Sequence, residues 1–167
     1  MQTYPTFDQV MELPPVIKDE VQPEWIDVNG HMNVRHYVDL GGIATSVLCE
    51  ELGVDDGYRA GRRLGFFTAE QHLTYRSEMT LGTPVTVHVR VLARSQKACH
   101  MMAFIMDRSD DRLACVFETL IVHVNMDTRR AEPFPEDIAA GLDRHIVSDT
   151  AVAWAAPTSG SIGIRAA

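Results

Sequence analysis

Residues 34–52 of this 167-residue chain read VRHYVDLGGIATSVLCEEL, and this stretch gives the strongest indication of the fold. It carries few charges before its last residues, so a helix formed from it is apolar around most of its circumference and belongs in an interior. Asn33 is suited to cap the N-terminus of that helix, and Gly53 is suited to end it. The Gly41-Gly42 pair costs about 1 kcal/mol per glycine inside a helix, which close packing against a flat surface would explain. The stretch therefore predicts a buried helix that packs against a β-sheet.

Strand patterns follow the predicted helix. In residues 85–91, valines alternate with polar side chains, which is the period of a half-buried strand. Other stretches bounded by polar turns also read as strands: residues 64–76, 98–106 and 112–125. The spacing of Ile138, Leu142 and Ile146 marks one face of a short C-terminal helix. With one short strand ahead of the buried helix, this order predicts an α+β fold in which a five-stranded antiparallel sheet wraps around one long helix.

Length and composition indicate one domain. A chain of 167 residues with 46% hydrophobic content can build a single core, which we assign to residues 1–147. Residues 148–167 are mostly Ala, Ser, Thr, Gly and Pro, and this composition predicts a poorly ordered C-terminal tail. No stretch reaches the roughly 18 apolar residues of a membrane span. Acids and prolines occupy the first 25 residues, where a signal peptide has an apolar block. We therefore expect a cytoplasmic protein with no membrane partner.

The charge balance and the cysteine count disfavour several classes of function. A net charge of −8 argues against a nucleic-acid partner, because binding to phosphate backbones requires a basic face. The three cysteines, Cys49, Cys99 and Cys115, include no Cys-x-x-Cys pair, which favours buried free thiols over disulfides or a zinc site. The seven histidines include no His-x-x-x-His pair, so no metal is expected. The sequence contains no Gly-x-Ser-x-Gly elbow, so nothing in it indicates a serine hydrolase.

A concentrated polar run, PEWIDVNGHMN at residues 23–33, stands immediately before the predicted helix. It brings together the carboxylate of Asp27, the amide of Asn29 and the imidazole of His31, while Gly30 allows the backbone to approach a ligand closely. A helix N-terminus offers unpaired N–H groups and a partial positive charge, which suit a developing oxyanion. A carboxylate beside that end can act as nucleophile or general base in an attack on an acyl carbonyl. The simpler alternative is that Asp27 and Asn29 cap the helix and that His31 is an interior histidine.

The same run resembles the opening motif of the hotdog-fold acyl-CoA thioesterases. The resemblance rests on the pattern Asp-x-Asn-Gly-His-Met-Asn that begins at Asp27, followed by Tyr37. It extends over about residues 18–138 and includes the stretch HLTYRSEMTLGTPV at residues 72–85. The resemblance implies the hotdog fold and hydrolysis of a small acyl-CoA thioester. It also implies that no cofactor is needed, since coenzyme A is part of the substrate.

The resemblance also implies site residues. It gives Asp27 the role of the catalytic carboxylate, either as nucleophile or as general base, with Asn29 and His31 as catalytic partners. It maps a second acid onto Glu78, for which an ordinary surface position before a turn is the alternative. The thioester carbonyl would point at backbone N–H groups where the helix begins, and the candidates are those of Met32, Asn33 and Val34.

A narrower likeness connects the chain with the betainyl-CoA thioesterases of bacterial carnitine breakdown. It rests on the PEWIDVNGHMN run, on AEQH at residues 69–72 and on HVNMDTRRAEPFP at residues 123–135. A trimethylammonium acyl group is attracted to aromatic faces and to acids. The candidates for an acyl pocket are therefore Trp25, Tyr37, Phe66, Phe67, Tyr75 and the acid Glu70. Ordinary core packing is the alternative for each aromatic residue.

The resemblance finally implies partners. The phosphates of CoA require a basic patch on this acidic chain, and the candidates are Arg62, Arg63, Arg94 and Lys97, with solvated surface charges as the alternative. Because the family pairs two sheets edge to edge and shares the site between subunits, we expect a homodimer or a dimer of dimers. Two other functions stay open: a non-catalytic acyl-CoA-binding or regulatory module, and an enoyl-CoA hydratase, which the spacing of Asp27 and His31 disfavours.

Overall fold

The computed structural model describes residues 3–164 and contains a five-stranded antiparallel sheet with the strand order β1-β3-β4-β5-β2. The strands are β1 (Pro15–Glu20), β2 (Leu64–Tyr75), β3 (Pro84–Arg94), β4 (Ala98–Asp107) and β5 (Arg112–Asn125). The helices are α1 (Phe7–Met11), α2 (Val34–Glu51), α3 (Asp56–Arg62) and α4 (Glu136–Thr150), with a 3-10 turn at Pro23–Trp25. The predicted α+β architecture is confirmed, and β5 has the predicted bounds. The short helices α1 and α3 were not predicted.

Helix α2 forms where the sequence predicted it, because both ends carry the expected signals. The side chain of Asn33 accepts a hydrogen bond from the N–H of Arg35 at 3.1 Å, and Gly53 beyond the helix has a φ of +94°. The two central glycines differ in role. A Cβ atom on Gly41 would lie 2.4 Å from Cγ of Phe117 on β5, whereas a Cβ atom on Gly42 would meet nothing within 4 Å. Close packing on the sheet therefore explains Gly41 alone.

Helix α2 is buried on one face and not on every side. Leu40, Ala44 and Leu48 join the valines of β3 in the main core. Val34 and Ile43 on the other face are 58% and 54% exposed. The apolar composition of the helix predicted burial all round, but the single sheet of one chain covers only one side. Residues 3–164 therefore leave the outward face of α2, with Val34 and Ile43, uncovered.

The opposite face of the sheet is covered by the two ends of the chain. Phe104 and Met106 of β4 point away from α2 and form a second core there with Val10, Leu13 and Trp154. Val10 and Leu13 come from the N-terminal segment, and Trp154 follows α4. The sheet is therefore buried on both faces in its central strands, and β4 reads as a nearly continuous apolar run for that reason.

Residues 148–164, for which the sequence predicted a poorly ordered tail, contact the sheet at several points; residues 165–167 lie outside the described residues. The buried guanidinium of Arg90 donates to the carbonyl oxygens of Asp149 at 2.6 Å and Trp154 at 3.0 Å. Farther along, the N–H of Ser159 donates to the buried carboxylate of Glu118 at 2.9 Å. The composition of the segment is typical of disorder, but its partners lie on distant strands, and composition does not reveal them.

Other sequence expectations concern thiols, metals and membranes. Cys49, Cys99 and Cys115 are buried and free, as predicted, and burial raises the pKa of each thiol. Within residues 3–164, no group of three or more His, Cys, Asp or Glu side chains is arranged to hold a metal ion. In the same part of the chain, no helix combines the length and the apolar character that crossing a membrane demands.

Candidate active site

The polar run of residues 23–33 forms a tight loop ahead of helix α2. A β-bridge between Ile26 and Met32 closes this loop, and the N–H of Asp27 donates to the carbonyl oxygen of His31 at 3.0 Å. Gly30 has a φ of +83°, and its N–H donates to the carbonyl oxygen of Asp27 at 3.0 Å. This left-handed conformation strains residues that carry a Cβ atom, so glycine allows the turn to stay tight.

The carboxylate of Asp27 is half-buried and is oriented from two sides. Its Oδ1 accepts a hydrogen bond from the N–H of Asn29 at 2.8 Å, and its Oδ2 lies 3.5 Å from Nδ2 of Asn33. Asn33 is the N-cap of α2. Helix capping therefore does not account for Asp27 or Asn29, and the simpler alternative for these two residues is wrong.

The N-terminus of α2 offers fewer amide donors than the sequence predicted. The N–H of Met32 donates to the carbonyl oxygen of Met79, and the N–H of Asn33 donates to that of Trp25, each at 2.8 Å. A main-chain N–H carries one hydrogen, so these two amides are already occupied. Val34 is the first helical residue, a position whose N–H has no partner within the helix. Of the three predicted donors, the geometry leaves Val34.

Glu78 reaches His31 although the two residues are far apart in the sequence. Nε2 of His31 and Oε2 of Glu78 are 3.0 Å apart. The bond from Met32 to Met79 ties the segment after β2 to the loop, and the side chain of Arg112 donates to the carbonyl oxygen of Glu78 at 3.3 Å. The side chains of His31 and Glu78 are 38% and 62% exposed. His31 is therefore not an interior histidine, and its ring is oriented by a carboxylate.

These groups line one open cavity of about 360 Å³, which we call the Asp27 cavity. Its wall comes from the loop, the first turn of α2 and the end of β2: Asp27, Asn29, His31, Met32, Val34, Tyr37, Tyr75, Arg76, Ser77 and Glu78. The rings of Tyr37 and Tyr75 meet edge to face, with centroids 5.3 Å apart and planes at 83°. Burial raises the pKa of Tyr37 to about 12 and also raises the pKa of Tyr75, so both phenols are neutral at physiological pH. The cavity thus combines aromatic surface with two carboxylates.

Arg76 and Ser77 belong to this wall but were not predicted as site residues. They stand between Tyr75 and Glu78 in the sequence, within the stretch on which the family resemblance for Glu78 rests. That adjacency was the only available signal. For an arginine or a serine at the end of a strand, no sequence pattern indicates whether the residue faces the cavity.

The other candidates for the acyl pocket lie elsewhere. Trp25 stacks on His36 with a centroid distance of 5.1 Å, beside a separate cavity of about 380 Å³ that shares no wall residue with the Asp27 cavity. Phe66 packs against the main core, and Phe67 is 37% exposed. Glu70 lies on β2, outside the described wall of the Asp27 cavity. Tyr37 and Tyr75 are therefore the aromatic candidates that the structure brings to Asp27.

The predicted CoA-binding residues are engaged with other groups. Each has a partner on the surface: Arg62 with Asp137, Arg63 with Asp127 and Arg94 with Asp143, all at 2.6 Å, and Lys97 with the carbonyl oxygen of Ala131 at 3.2 Å. Hydrogen bonds from the three guanidinium groups hold the pKa of the partner carboxyls below the usual value. None of these four basic residues is in the described wall of the Asp27 cavity.

Known proteins resemble this chain in sequence and in fold. The family model of the thioesterase-like superfamily matches residues 21–142. A betainyl-CoA thioesterase of Pseudomonas aeruginosa is 28% identical over 123 residues, which are 74% of this chain and 77% of that protein. An L-carnitine dehydrogenase/betainyl-CoA thioesterase of Rhizobium meliloti is 27% identical over 128 residues, which are 76% of this chain and only 25% of that longer protein. The structure of a hypothetical protein from Staphylococcus aureus in complex with CoA matches with a TM-score of 0.77 and 25% identity, over 92% of this chain and 97% of that chain.

Proposed function

Because this chain belongs to the thioesterase-like superfamily and is an acyl-CoA thioesterase with the hotdog fold, we propose that Asp27 is the residue through which it hydrolyses a small acyl-CoA. The observation that carries the proposal is that the carboxylate of Asp27 and the N-terminus of α2 line the same cavity. A thioester carbonyl in this cavity has a negatively charged side chain on one side. On the other it has the positive end of a helix, which suits the developing oxyanion.

The proposed reaction begins when the carbonyl oxygen accepts a hydrogen bond from the N–H of Val34, which stabilises the negative charge that develops there. In one route, Asp27 attacks the carbonyl carbon, the C–S bond breaks, CoA leaves as a thiolate, and water then hydrolyses the mixed anhydride. In the other route, Asp27 takes a proton from a water molecule, whose oxygen adds to the carbonyl carbon before the C–S bond breaks. Both routes end with a carboxylate and CoA; in the second route Asp27 is regenerated when it releases the proton taken from water to the solvent.

His31 and Glu78 act on the leaving group in this proposal. The carboxylate of Glu78 lies 3.0 Å from Nε2 of His31 and thereby orients the ring. The protonated ring can then deliver the proton on Nδ1 to the departing thiolate. Asn29 lines the same cavity, and its side-chain amide holds the attacking water or donates to the carbonyl oxygen.

Thiol release from a panel of acyl-CoAs tests the catalytic part of the proposal. We expect Asp27→Asn to lower kcat by about 10²–10⁴-fold, the usual contribution of a positioned base, while CoA binding and the melting temperature stay unchanged. Near-normal turnover by Asp27→Asn would contradict the assignment. Binding of several acyl-CoAs without any thiol release from the unmodified protein would favour the alternative of a non-catalytic binding module.

We further propose that the acyl group is small and cationic, with betainyl as the leading candidate. In betainyl-CoA the quaternary nitrogen lies one methylene away from the reacting carbonyl. It must therefore sit in the Asp27 cavity itself, and rings elsewhere on the chain cannot reach it. Tyr37 and the 47% exposed Tyr75 line this cavity, aromatic rings attract quaternary ammonium groups, and the carboxylates of Asp27 and Glu78 add a complementary charge. Arg76 also lines the cavity, but its guanidinium stacks over the ring of Tyr4.

A neutral substrate of the same shape tests this specificity. In 3,3-dimethylbutyryl-CoA a carbon atom replaces the quaternary nitrogen of betainyl-CoA. We expect kcat/KM to be about 5- to 30-fold higher for betainyl-CoA, which corresponds to about 1–2 kcal/mol of cation–π attraction. Tyr75→Leu should reduce this ratio, whereas Tyr75→Phe should preserve it because the ring face remains. Equal kcat/KM values for the two substrates would refute the cationic acyl pocket.

We also propose a homodimer or a dimer of dimers. Strand β2 forms one border of the sheet, so one of its edges has no partner strand in the described chain. Beside it lies an open cavity of about 610 Å³ between β2 and the uncovered face of α2, lined by residues such as Gly42, Ile43 and Phe66. Pairing with a second copy would cover both features. Sedimentation analysis tests this, and a monomer at micromolar concentration would contradict it.

The cytoplasmic location stays a prediction that cell fractionation can check.

A further inference from the structure

The phosphates of CoA need a cation that the four predicted basic residues do not readily supply. Three of them form ion pairs with carboxylates, the fourth donates to a carbonyl oxygen, and none lines the Asp27 cavity. A CoA phosphate would have to displace those partners. The described wall of the Asp27 cavity contains a different cation, Arg76, for which the catalytic proposal has no role.

Arg76 directly follows the last residue of β2, and its position is fixed from two directions. Its main-chain N–H donates to the carbonyl oxygen of Ala114 at 2.8 Å. Its guanidinium carbon lies 4.2 Å from the centroid of the Tyr4 ring. Among residues 3–164, no carboxylate forms an ion pair with Arg76, and the described contact of its guanidinium is with the ring of Tyr4.

The contact with Tyr4 matters because it leaves the hydrogen-bond donors of Arg76 available. An aromatic ring attracts a guanidinium through its π face and takes none of the five N–H groups. The planar fork of a supported arginine matches two oxygens of a phosphate. Tyr4 comes from the N-terminal segment that packs on the sheet face opposite α2, outside the residues 21–142 that match the family model.

We propose that Arg76, supported by the ring of Tyr4, binds a phosphate group of CoA at the mouth of the Asp27 cavity. This inference rests on the proposed function, because it names the residue that receives the CoA end of the substrate. The acyl group lies toward Tyr37 and Tyr75, and the nucleotide end leaves the cavity past Arg76.

A pair of substrates separates phosphate binding from catalysis. One is the best acyl-CoA, and the other is the same acyl group on pantetheine, which lacks the phosphates. We expect Arg76→Gln to raise KM for the acyl-CoA about tenfold, equivalent to about 1.4 kcal/mol, with kcat unchanged. KM for the acyl-pantetheine should not change. The wild-type KM for the acyl-CoA should also rise with salt more steeply than that of Arg76→Gln, because salt screens an exposed charge pair.

Matched variants complete the test. Tyr4→Phe keeps the ring face and should leave KM unchanged, whereas Tyr4→Leu should raise KM for the acyl-CoA only. If Arg76→Gln is poorly folded by circular dichroism, Arg76→Lys, which keeps the charge but loses the fork, should give an intermediate KM.

Two results overturn the inference: an unchanged KM for the acyl-CoA in Arg76→Gln, or an equal rise for both substrates. A rise in KM for Arg62→Gln or Arg94→Gln, with Arg76→Gln unaffected, would return the role to the residues predicted from the sequence. Turnover of the acyl-pantetheine by the unmodified protein, and its loss in Asp27→Asn, report on the proposed function separately. Failure of this inference therefore leaves the function standing.

Discussion

Replacing Gly41 by alanine tests how closely helix α2 approaches the sheet. A Cβ atom there would lie 2.4 Å from Cγ and 2.8 Å from both Cδ atoms of Phe117, a side chain with 0% exposure. Carbon atoms pack at about 3.5–4.0 Å, so the helix or the ring must move by about 1 Å. Overpacking of this kind costs about 1–3 kcal/mol, whereas alanine in place of glycine in a helix gains about 1 kcal/mol. We expect Gly41→Ala to lower the free energy of unfolding by about 0–2 kcal/mol as the balance of these terms.

Gly42→Ala is the matched control, because it has the same helix propensity term and a Cβ atom there meets nothing within 4 Å. We expect it to raise the free energy of unfolding by about 1 kcal/mol. The two variants should thus differ by about 1–3 kcal/mol, which isolates the contact with Phe117. Urea unfolding at one fixed protein concentration measures both. Equal stability of the two variants would refute the described packing. Because a displaced α2 also moves Val34 and Tyr37, kcat should fall in Gly41→Ala.

Two further predictions concern buried histidines. Nδ1 of His88 lies 2.8 Å from the carbonyl oxygen of Leu13, and burial lowers the pKa of His88 below 6.5. The unfolded state therefore takes up this proton more readily, so the contribution of His88 to stability is complete above the unfolded pKa and is lost as the pH falls toward the folded pKa. Urea unfolding from about pH 7 to pH 5 should show the slope, and an equal slope in His88→Gln would contradict this source. Tyr58→Phe removes a 2.7 Å hydrogen bond to Nε2 of the fully buried His123. It should cost about 1–3 kcal/mol of unfolding free energy, because that nitrogen loses its partner; an unchanged value would show that the bond contributes nothing.

Much of the candidate site could be predicted because the residues that indicate it are contiguous in the sequence. Asp27, Asn29 and His31 stand in one short run before a strong helix, and Tyr37 follows one turn into that helix. The loop that holds the three polar residues closes on itself through local hydrogen bonds. Its shape therefore depends on neighbours in the chain, which sequence patterns represent well.

The oxyanion donors and the cationic residues could not be assigned in the same way. Nothing in the sequence distinguishes the main-chain N–H groups of Met32 and Asn33 from that of Val34. In the structure, the N–H groups of Met32 and Asn33 donate to the carbonyl oxygens of Met79 and Trp25. Arg94 and Arg76 look alike as surface arginines, yet one meets a carboxylate from α4 and the other meets the ring of Tyr4. These contacts depend on how whole helices and strands pack together, and a short stretch of sequence does not reveal that packing.

The long helix and the strands could be predicted from local sequence, because caps, turns and apolar periodicity act between residues a few positions apart. Tertiary structure alone decided that Glu78 meets His31, that Arg76 enters the cavity wall and that the C-terminal segment lies on the sheet through Arg90 and Glu118. These contacts join residues from remote elements, and they form because they satisfy buried polar groups and cover apolar surface of the assembled fold.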